Sequence, residues 1–312
     1  MTDVLVCATS GFDPCVSVII PTYNRAHFLV EAVTSVLTQD FSDFEVIVVD
    51  DGSTDHTAAV MLQFNDPRVV LVRQENHGRS QARNRALEMA RGRYIAFLDS
   101  DDLYMPGKLA LQIDYLDLNP EVGMVYTSAY CIDYSGRPLD ERYIASVSGK
   151  IYDSIAFFRP VTITLPTVMV RRELFSRTGG FDEKMHRFED TDMWRRISKL
   201  VRIDAMPAFT CRLRTHAENS LATQNPEQIM LALNYYVNKI MAEDASMGAL
   251  TLRRGIGRLY YYYGRAFMTV PEWRTMGRGL LATSYGYWFP LWFRQLAVMV
   301  FHNLRPLSAL TK

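Results

Sequence analysis

Two apolar runs about fifty residues apart each end in a cluster of carboxylates, and this pairing restricts the possible fold more than any other feature. The first is Val46-Ile47-Val48-Val49-Asp50-Asp51, and the second is Tyr94-Ile95-Ala96-Phe97-Leu98-Asp99-Ser100-Asp101-Asp102. Unbroken apolar runs of this length read as strands covered on both faces, the condition of a parallel sheet. Residues just past the C-terminal ends of such strands project into the crevice where these folds bind ligands. Five carboxylates gathered there need a counter-charge, and a hard divalent cation carrying phosphate oxygens supplies one. The pairing therefore points to a nucleotide-diphosphate site.

The rest of the first half fits that sheet. Val16–Ile20, Phe44–Val49, Val69–Val72 and Tyr94–Leu98 read as four strands, and Gly123–Ser128 as a fifth. Between them the apolar spacing predicts helices: one carrying Leu29, Ala32, Val33, Val36 and Leu37, one from Thr57 to Phe64, and one over Ser80–Ala90. Alternation of this kind implies right-handed crossovers and an α/β fold, a mostly parallel sheet with helices on both faces. After Tyr130 the pattern becomes irregular. Tyr134–Pro138 reads as a hairpin turn, and 148–167 shows no clear period. From Pro226 the chain turns helical, with Ile229, Ala232, Leu233, Tyr236, Val237, Ile240 and Met241 on one face.

Charge divides the 312 residues at the same place. Lys and Arg number 24 against 30 Asp and Glu up to residue 224, and 10 against 4 beyond it, within a net charge of zero. The expected organisation is an α/β domain over 1–224 and a helical C-terminal region over 225–312. An acidic main body argues against a nucleic-acid partner. Cys7, Cys15, Cys131 and Cys211 show neither a C-x-x-C nor metal-ligand spacing, which fits a reduced, cytoplasmic protein. The first residues lack the basic region and long apolar core of a secretory leader. No uncharged apolar stretch reaches the ~18 to 20 residues of a spanning helix.

Six segments carry the chemistry. They are Val-Ile-Ile-Pro-Thr-Tyr-Asn (18–24), Val-Asp-Asp-Gly-Ser-Thr-Asp (49–55), Gly78 with Ala82-Arg83-Asn84, Asp-Ser-Asp-Asp (99–102), Gly-Gly-Phe-Asp-Glu (179–183) and Glu-Asp-Thr-Asp-Met-Trp (189–194). Tyr23, at a strand end, can stack on a base, and Asp51 can accept from a pyrimidine imide N–H. In the Asp-x-Asp segment, alternate residues point the same way, so Asp99 and Asp101 can face one ion. Mn²⁺ and Mg²⁺ both suit such oxygen ligands. Arg83 or Arg79 offers a planar fork to a donor phosphate or sugar. Asp102 fits a helix N-cap.

In this order and spacing the segments resemble the inverting family-2 glycosyltransferases with the GT-A fold, from Val16 to about Ser220, roughly two thirds of the chain. The resemblance implies a nucleotide-sugar donor, UDP-linked, bound by a half over 16–130, and an acceptor half over 131–224. It assigns Pro21, Tyr23 and Asp51 to the uridine, Asp99 to ribose or an ion-bound water, and Asp101 to the metal. It also implies that Asp190 is the general base, that Glu189 orients the acceptor, and that Gly179–Glu183 is a mobile loop. A carboxylate is a sensible base for a hydroxyl that attacks an anomeric carbon. Arg214-Thr215-His216, with Ser220 beyond, corresponds to an Arg-x-His segment that touches diphosphate or metal, which makes His216 a second metal ligand.

The tail is open to two readings. Tyr260–Tyr263 and Tyr285–Phe293 are dense in aromatics, with Arg265, Arg274, Arg278, Arg294 and Arg305 interleaved. Such a mixture fits a membrane interface, and equally a helical subdomain packed on the main domain or on a second subunit of a homodimer. Pro290 and Arg294 interrupt it, so it could lie on a bilayer but not cross it. Expected partners are the donor and a saccharide or lipid-linked saccharide acceptor, in polysaccharide or lipid-linked glycan synthesis, in the cytoplasm or at the inner membrane face. Two rival functions share the acidic clusters. A sugar-1-phosphate nucleotidyltransferase would carry a Gly-rich basic loop, which Ile20–Arg25 is not. The other is a non-catalytic, membrane-associated binding module.

Overall fold

A computed structural model describes residues 3–6, 13–158, 163–216 and 223–287. Cys7, Ser220, Arg294, Arg305 and the aromatic run beyond Tyr287 lie outside the described residues. Two compact units divide the chain, one over 1–155 with 160–219 and the other over 156–159 with 220–312.

The first unit runs β1 (Asp3–Val6), β2 (Val16–Thr22), α1 (Ala26–Leu37), β3 (Phe44–Asp51), α2 (Thr57–Met61), β4 (Val69–Gln74), α3 (Arg79–Met89) and β5 (Tyr94–Phe97). There follow β6 (Leu103–Tyr104), α4 (Lys108–Leu118), β7 (Val122–Ile132), β8 (Pro138–Tyr143), α5 (Tyr152–Ala156, its last residue already in the second unit), β9 (Val168–Arg171), α6 (Glu173–Thr178), α7 (Glu189–Ser198) and β10 (Arg202–Arg214). The sheet order is β1-β4-β3-β2-β5-β9-β7-β10-β6, with β8 on β7. β4, β3, β2 and β5 are parallel neighbours, as the sequence alternation requires. β9 runs antiparallel between β5 and β7, so the sheet as a whole is mixed. Four residues after an aperiodic stretch give a sequence reading little to identify β9 by.

Period-2 alternation explains why the central strands are buried throughout. Val16, Val18, Ile20, Val46 and Val48 enter a core with α1 and α4. Ile19, Ile47, Val49, Ile95 and Phe97 enter the opposite core with α3 and α7. The hairpin expected at Tyr134–Pro138 joins β7 to β8, with Asp133 Oδ1 accepting from Ser135 N and Arg137 N, each at 2.9 Å. At the other end of the central strands, Glu45 is buried. It accepts from Ser17 Oγ at 2.7 Å and from Arg91 Nη2 at 2.7 Å, while Gly92 N donates to Ser17 Oγ at 2.8 Å.

The second unit is helical: α8 (Pro226–Glu243), α9 (Ala249–Met268) and α10 (Arg274–Tyr287). Asn225 caps α8 through its side chain, and Pro226 occupies the first turn where no N–H is needed. The expected apolar face is buried except for Met241, which is 48% exposed because it sits at the edge of the stripe. Ser284 Oγ donates to Gly257 O at 2.8 Å, and Tyr260 stacks on Tyr287, tying α10 to α9. Among the described residues no helix is long and apolar enough to cross a membrane.

Gly92 is a local test of this packing. A Cβ there would lie 2.3 Å from Ser17 N and 2.6 Å from Val16 C, both rigid backbone. Gly92→Ala should therefore cost about 2 to 3 kcal/mol by overpacking, read as a lowered urea midpoint with an unchanged slope.

Candidate active site

The C-terminal ends of β2, β3 and β5 open on a cleft of about 370 Å³, in which Pro21, Tyr23, Asp51, Arg83, Asp99 and Asp101 converge. Tyr23 is 46% exposed, so its ring is free to take a flat ligand. The cleft wall is stiffened by two interlocked loops. Asn24 sits at φ +51°, a conformation Asn tolerates better than most residues. Its Oδ1 accepts from Thr54 N at 2.8 Å, and its N–H donates to Ser53 Oγ at 2.9 Å. Asp51 is buried and already accepts from Gln74 Nε2 at 2.8 Å, His77 N at 3.0 Å and Gly78 N at 2.8 Å. With roughly four lone-pair positions on a carboxylate, it keeps about one for a ligand.

An ion cluster forms the second wall. Arg83, on α3, is buried; Nη2 donates to Asp99 Oδ1 at 2.8 Å and Nη1 to Glu189 Oε1 at 3.0 Å. Burial works against its charge, and the nearby carboxylates of Asp99, Glu189 and Asp190 outweigh it, leaving the guanidinium pKa raised. Arg79 Nε lies 2.7 Å from the same Glu189 oxygen, and its Nη2 donates to His186 O at 3.0 Å. Arg83 lines the cleft but is committed to two carboxylates rather than held free for a phosphate. Glu189, expected to meet the acceptor, is buried under two arginines, because its neutralisation at the start of α7 requires them.

Asp190, next in α7, is half-buried and accepts from Thr191 N at 2.6 Å. Burial, and then the charge of Glu189, push its pKa up to about 6, while the Thr191 N–H, Arg83 and Arg79 pull the other way. Asp192 is a structural carboxylate, held by Arg195 at 2.7 Å and Arg196 at 2.9 Å.

β10 delivers the third group. His216 Nε2 lies 2.8 Å from Asp101 Oδ2, and the imidazole packs edge-on against Phe28 and Tyr134. Among the described residues no three His, Cys, Asp or Glu side chains converge as a metal-binding group. The Asp101–His216 pair does offer one carboxylate and one imidazole, with Asp101 lining the cleft and His216 buried beside it. That set suits Mn²⁺ or Mg²⁺ when diphosphate oxygens and water complete the shell. Arg214, expected to touch diphosphate or metal, lines the cleft and braces its wall. Its Nε donates to Asp101 O at 2.9 Å, and Nη1 and Nη2 bond Tyr134 O and Glu31, each at 2.8 Å. Asp102 does not cap a helix, since α4 begins only at Lys108. It is buried and accepts from Arg214 N at 2.7 Å; burial, Asp99 and Asp101 hold its pKa well above the ordinary carboxylate range.

Asn84, on α3, ties that helix to the segment 179–183. Its Oδ1 accepts from Phe181 N at 2.7 Å and its Nδ2 donates to Phe181 O at 2.9 Å. Gly180 makes room for it, since a Cβ there would lie 2.4 Å from Asn84 Oδ1. The segment 179–183, expected to be mobile, is thus clamped to α3 at Phe181. Arg25 was missed as a site residue; it lines the cleft 3.9 Å from Asp101. Only its place beside Pro21-Thr22-Tyr23 could have signalled it.

Comparisons with known proteins agree on one family. The family described as Glycosyl transferase family 2 matches residues 17–179. The putative teichuronic acid biosynthesis glycosyltransferase TuaG of Bacillus subtilis is 38% identical over 167 residues, 53% of this chain and 65% of that protein. Uncharacterized glycosyltransferases of three Rickettsia species are 35 to 36% identical, and the chain spans only 30% of their length. Among solved structures, S. aureus TarS 1–349 in complex with UDP-GlcNAc superposes with a TM-score of 0.63 at 19% identity, over 87% of this chain and 88% of that one. The mannosyltransferase PcManGT of Pyrobaculum calidifontis, in complex with GDP-Man and Mn²⁺, has a TM-score of 0.57 at 21% identity, over 90% and 89%. At these identities the structures speak for the fold, a GT-A-like α/β architecture.

The shared guanidinium gives a direct test of the cluster. Arg83→Leu leaves Glu189 short of one partner and Asp99 without its ion pair. The loss of stability should be about 3 kcal/mol, the lower end for a broken buried pair, because Asp99 is partly solvated. Arg83→Lys should recover part of it. A chemical-denaturation loss below about 1 kcal/mol would place the pair with ordinary surface ion pairs.

Proposed function

The chain belongs to glycosyl transferase family 2, and from that premise we propose that it transfers a sugar from a UDP-linked donor to a saccharide hydroxyl, inverting the anomeric carbon. The observation that carries this reading is the convergence of Tyr23, Asp51, Arg83, Asp99 and Asp101 on one cleft at the strand ends. Family membership weighs against both the nucleotidyltransferase and the binding-module readings. The UDP-GlcNAc bound by TarS supports the choice of nucleotide, and the pathway of TuaG supports a cell-surface polysaccharide acceptor.

In this reading the base stacks on Tyr23 against Pro21, and Asp51 spends its remaining acceptor position on the imide N–H. Asp99 meets the ribose while Arg83 holds it in place. Asp190 accepts the proton of the acceptor hydroxyl as that oxygen attacks C1; the bond from C1 to the diphosphate oxygen breaks, and its electron pair leaves with UDP. Glu189 acts through position, fixing the first turn of α7 against Arg79 and Arg83. Asp101 and His216 would hold a divalent cation, Mn²⁺ or Mg²⁺, which when bound neutralises charge on the departing diphosphate.

Three measurements test this. Asp190→Asn should lower kcat by at least ~10²-fold, the scale of a lost general base, with donor affinity nearly unchanged; a parallel loss of donor affinity would contradict the division of roles. Because the Asp190 pKa is raised to about 6, the carboxylate is protonated below that pH and cannot accept a proton. The kcat/KM profile should therefore fall on the acid side with a midpoint near 6, well above that of an ordinary aspartate. Finally, the thermal midpoint should rise with UDP in the presence of Mn²⁺ or Mg²⁺ and not with other nucleoside diphosphates. No rise with any nucleotide would remove the donor site.

A further inference from the structure

The second unit carries a surface to which the proposed transfer assigns no role. Along α9, Arg254, Arg258 and Arg265 are spaced i, i+4 and i+11. At about 100° per residue they fall within about 40° of one another and span about 16 Å. Tyr261 lies in the same stripe and Tyr262 on its flank, the latter 56% exposed. The buried residues of the helix, among them Leu252, Ile256, Leu259 and Phe267, lie on the opposite side. α10 repeats the pattern: Arg274, Arg278 and Tyr285 share one stripe, all three exposed, against buried Leu280 and Ser284.

The charge on these helices is one-sided. Residues 249–287 contain six arginines and a single acidic residue, Glu272. The sequence beyond adds Arg294, Arg305 and Lys312, no acid, and Trp288, Phe289, Trp292, Phe293 and Phe301. A purely polyanionic partner would call for the arginines but not for exposed tyrosines among them. Amphipathic rings beside cationic side chains match a lipid headgroup layer, where the ring is half-solvated and the charge meets phosphate.

We propose that the α9–α10 surface docks the protein on an anionic bilayer, through the arginine stripes Arg254/Arg258/Arg265 and Arg274/Arg278 with Tyr262 and Tyr285 at the headgroup level. The binding is peripheral and electrostatic, so it depends on anionic lipid and weakens with salt.

The test is sedimentation of the full chain with vesicles of phosphatidylcholine alone, or of phosphatidylcholine with phosphatidylglycerol, at low and high salt. The protein should bind the mixed vesicles at low salt and leave the neutral ones in solution. Each basic residue near such a surface is worth about a fivefold change in partition. R254Q/R258Q/R265Q should therefore bind about 100-fold more weakly, and R274Q/R278Q, on the other helix, about 30-fold more weakly. R254K/R258K/R265K should bind as the unaltered chain does, which separates lost charge from lost folding. Equal binding to both vesicle types, glutamine variants that bind normally, or loss with the lysine variant would each overturn the proposal. Retention on dextran sulfate without vesicle binding would overturn it in favour of an acidic polymer.

Discussion

The guanidinium of Arg83, buried on α3, donates to Asp99 behind β5 and to Glu189 at the start of α7. Gathering carboxylates from separate strand ends and a helix start is unfavourable unless positive charge is buried with them. Arg83, with the exposed Arg79 beside it, supplies that charge and so joins the end of β5 to the segment carrying Asp190. Burial raises the Asp190 pKa and Glu189 beside it adds to the rise, while the Thr191 N–H and the two arginines keep it moderate, at about 6. A base in that range is charged at neutral pH and still not so weak as to refuse a proton.

Around this cluster the loops are held together by side-chain hydrogen bonds. Asn24 locks the turn after β2 to the loop after β3, Asn84 fixes the backbone of Phe181, and Arg214 braces Asp101, Tyr134 and Glu31 together. Each joins segments distant in sequence, and each satisfies backbone groups that would otherwise be left without partners in a loop. His216 reaches Asp101 by the same means, at the end of a thirteen-residue strand.

The two units have different physical characters. The first is an acidic α/β body in which both faces of the sheet are covered. The second is a set of amphipathic helices whose outer stripes are arginine and tyrosine, while leucine, isoleucine and phenylalanine face inward. Positive charge gathered on outer stripes favours an anionic neighbour.

Much was legible in the residues alone. Unbroken apolar runs required strands covered on both sides, so β2, β3, β4 and β5 and their parallel orientation followed from local pattern, as did the carboxylates at the ends of β3 and β5; their order did not. Periodicity likewise determined α1, α3 and the buried face of α8, apart from Met241 at its edge. Tertiary structure decided what local pattern cannot carry. β9 is four residues long, and only its neighbours make it a central antiparallel strand. The resemblance gives Glu189 an acceptor role and Arg214 a contact with diphosphate or metal, but the ion pairs that hold both side chains are visible only in the fold. Asp102 read as a cap because sequence does not say that α4 starts six residues later. Long-range ion pairs and loop clamps depend on which segments meet in space, and that is determined by the packing of the whole sheet rather than by any window of the chain.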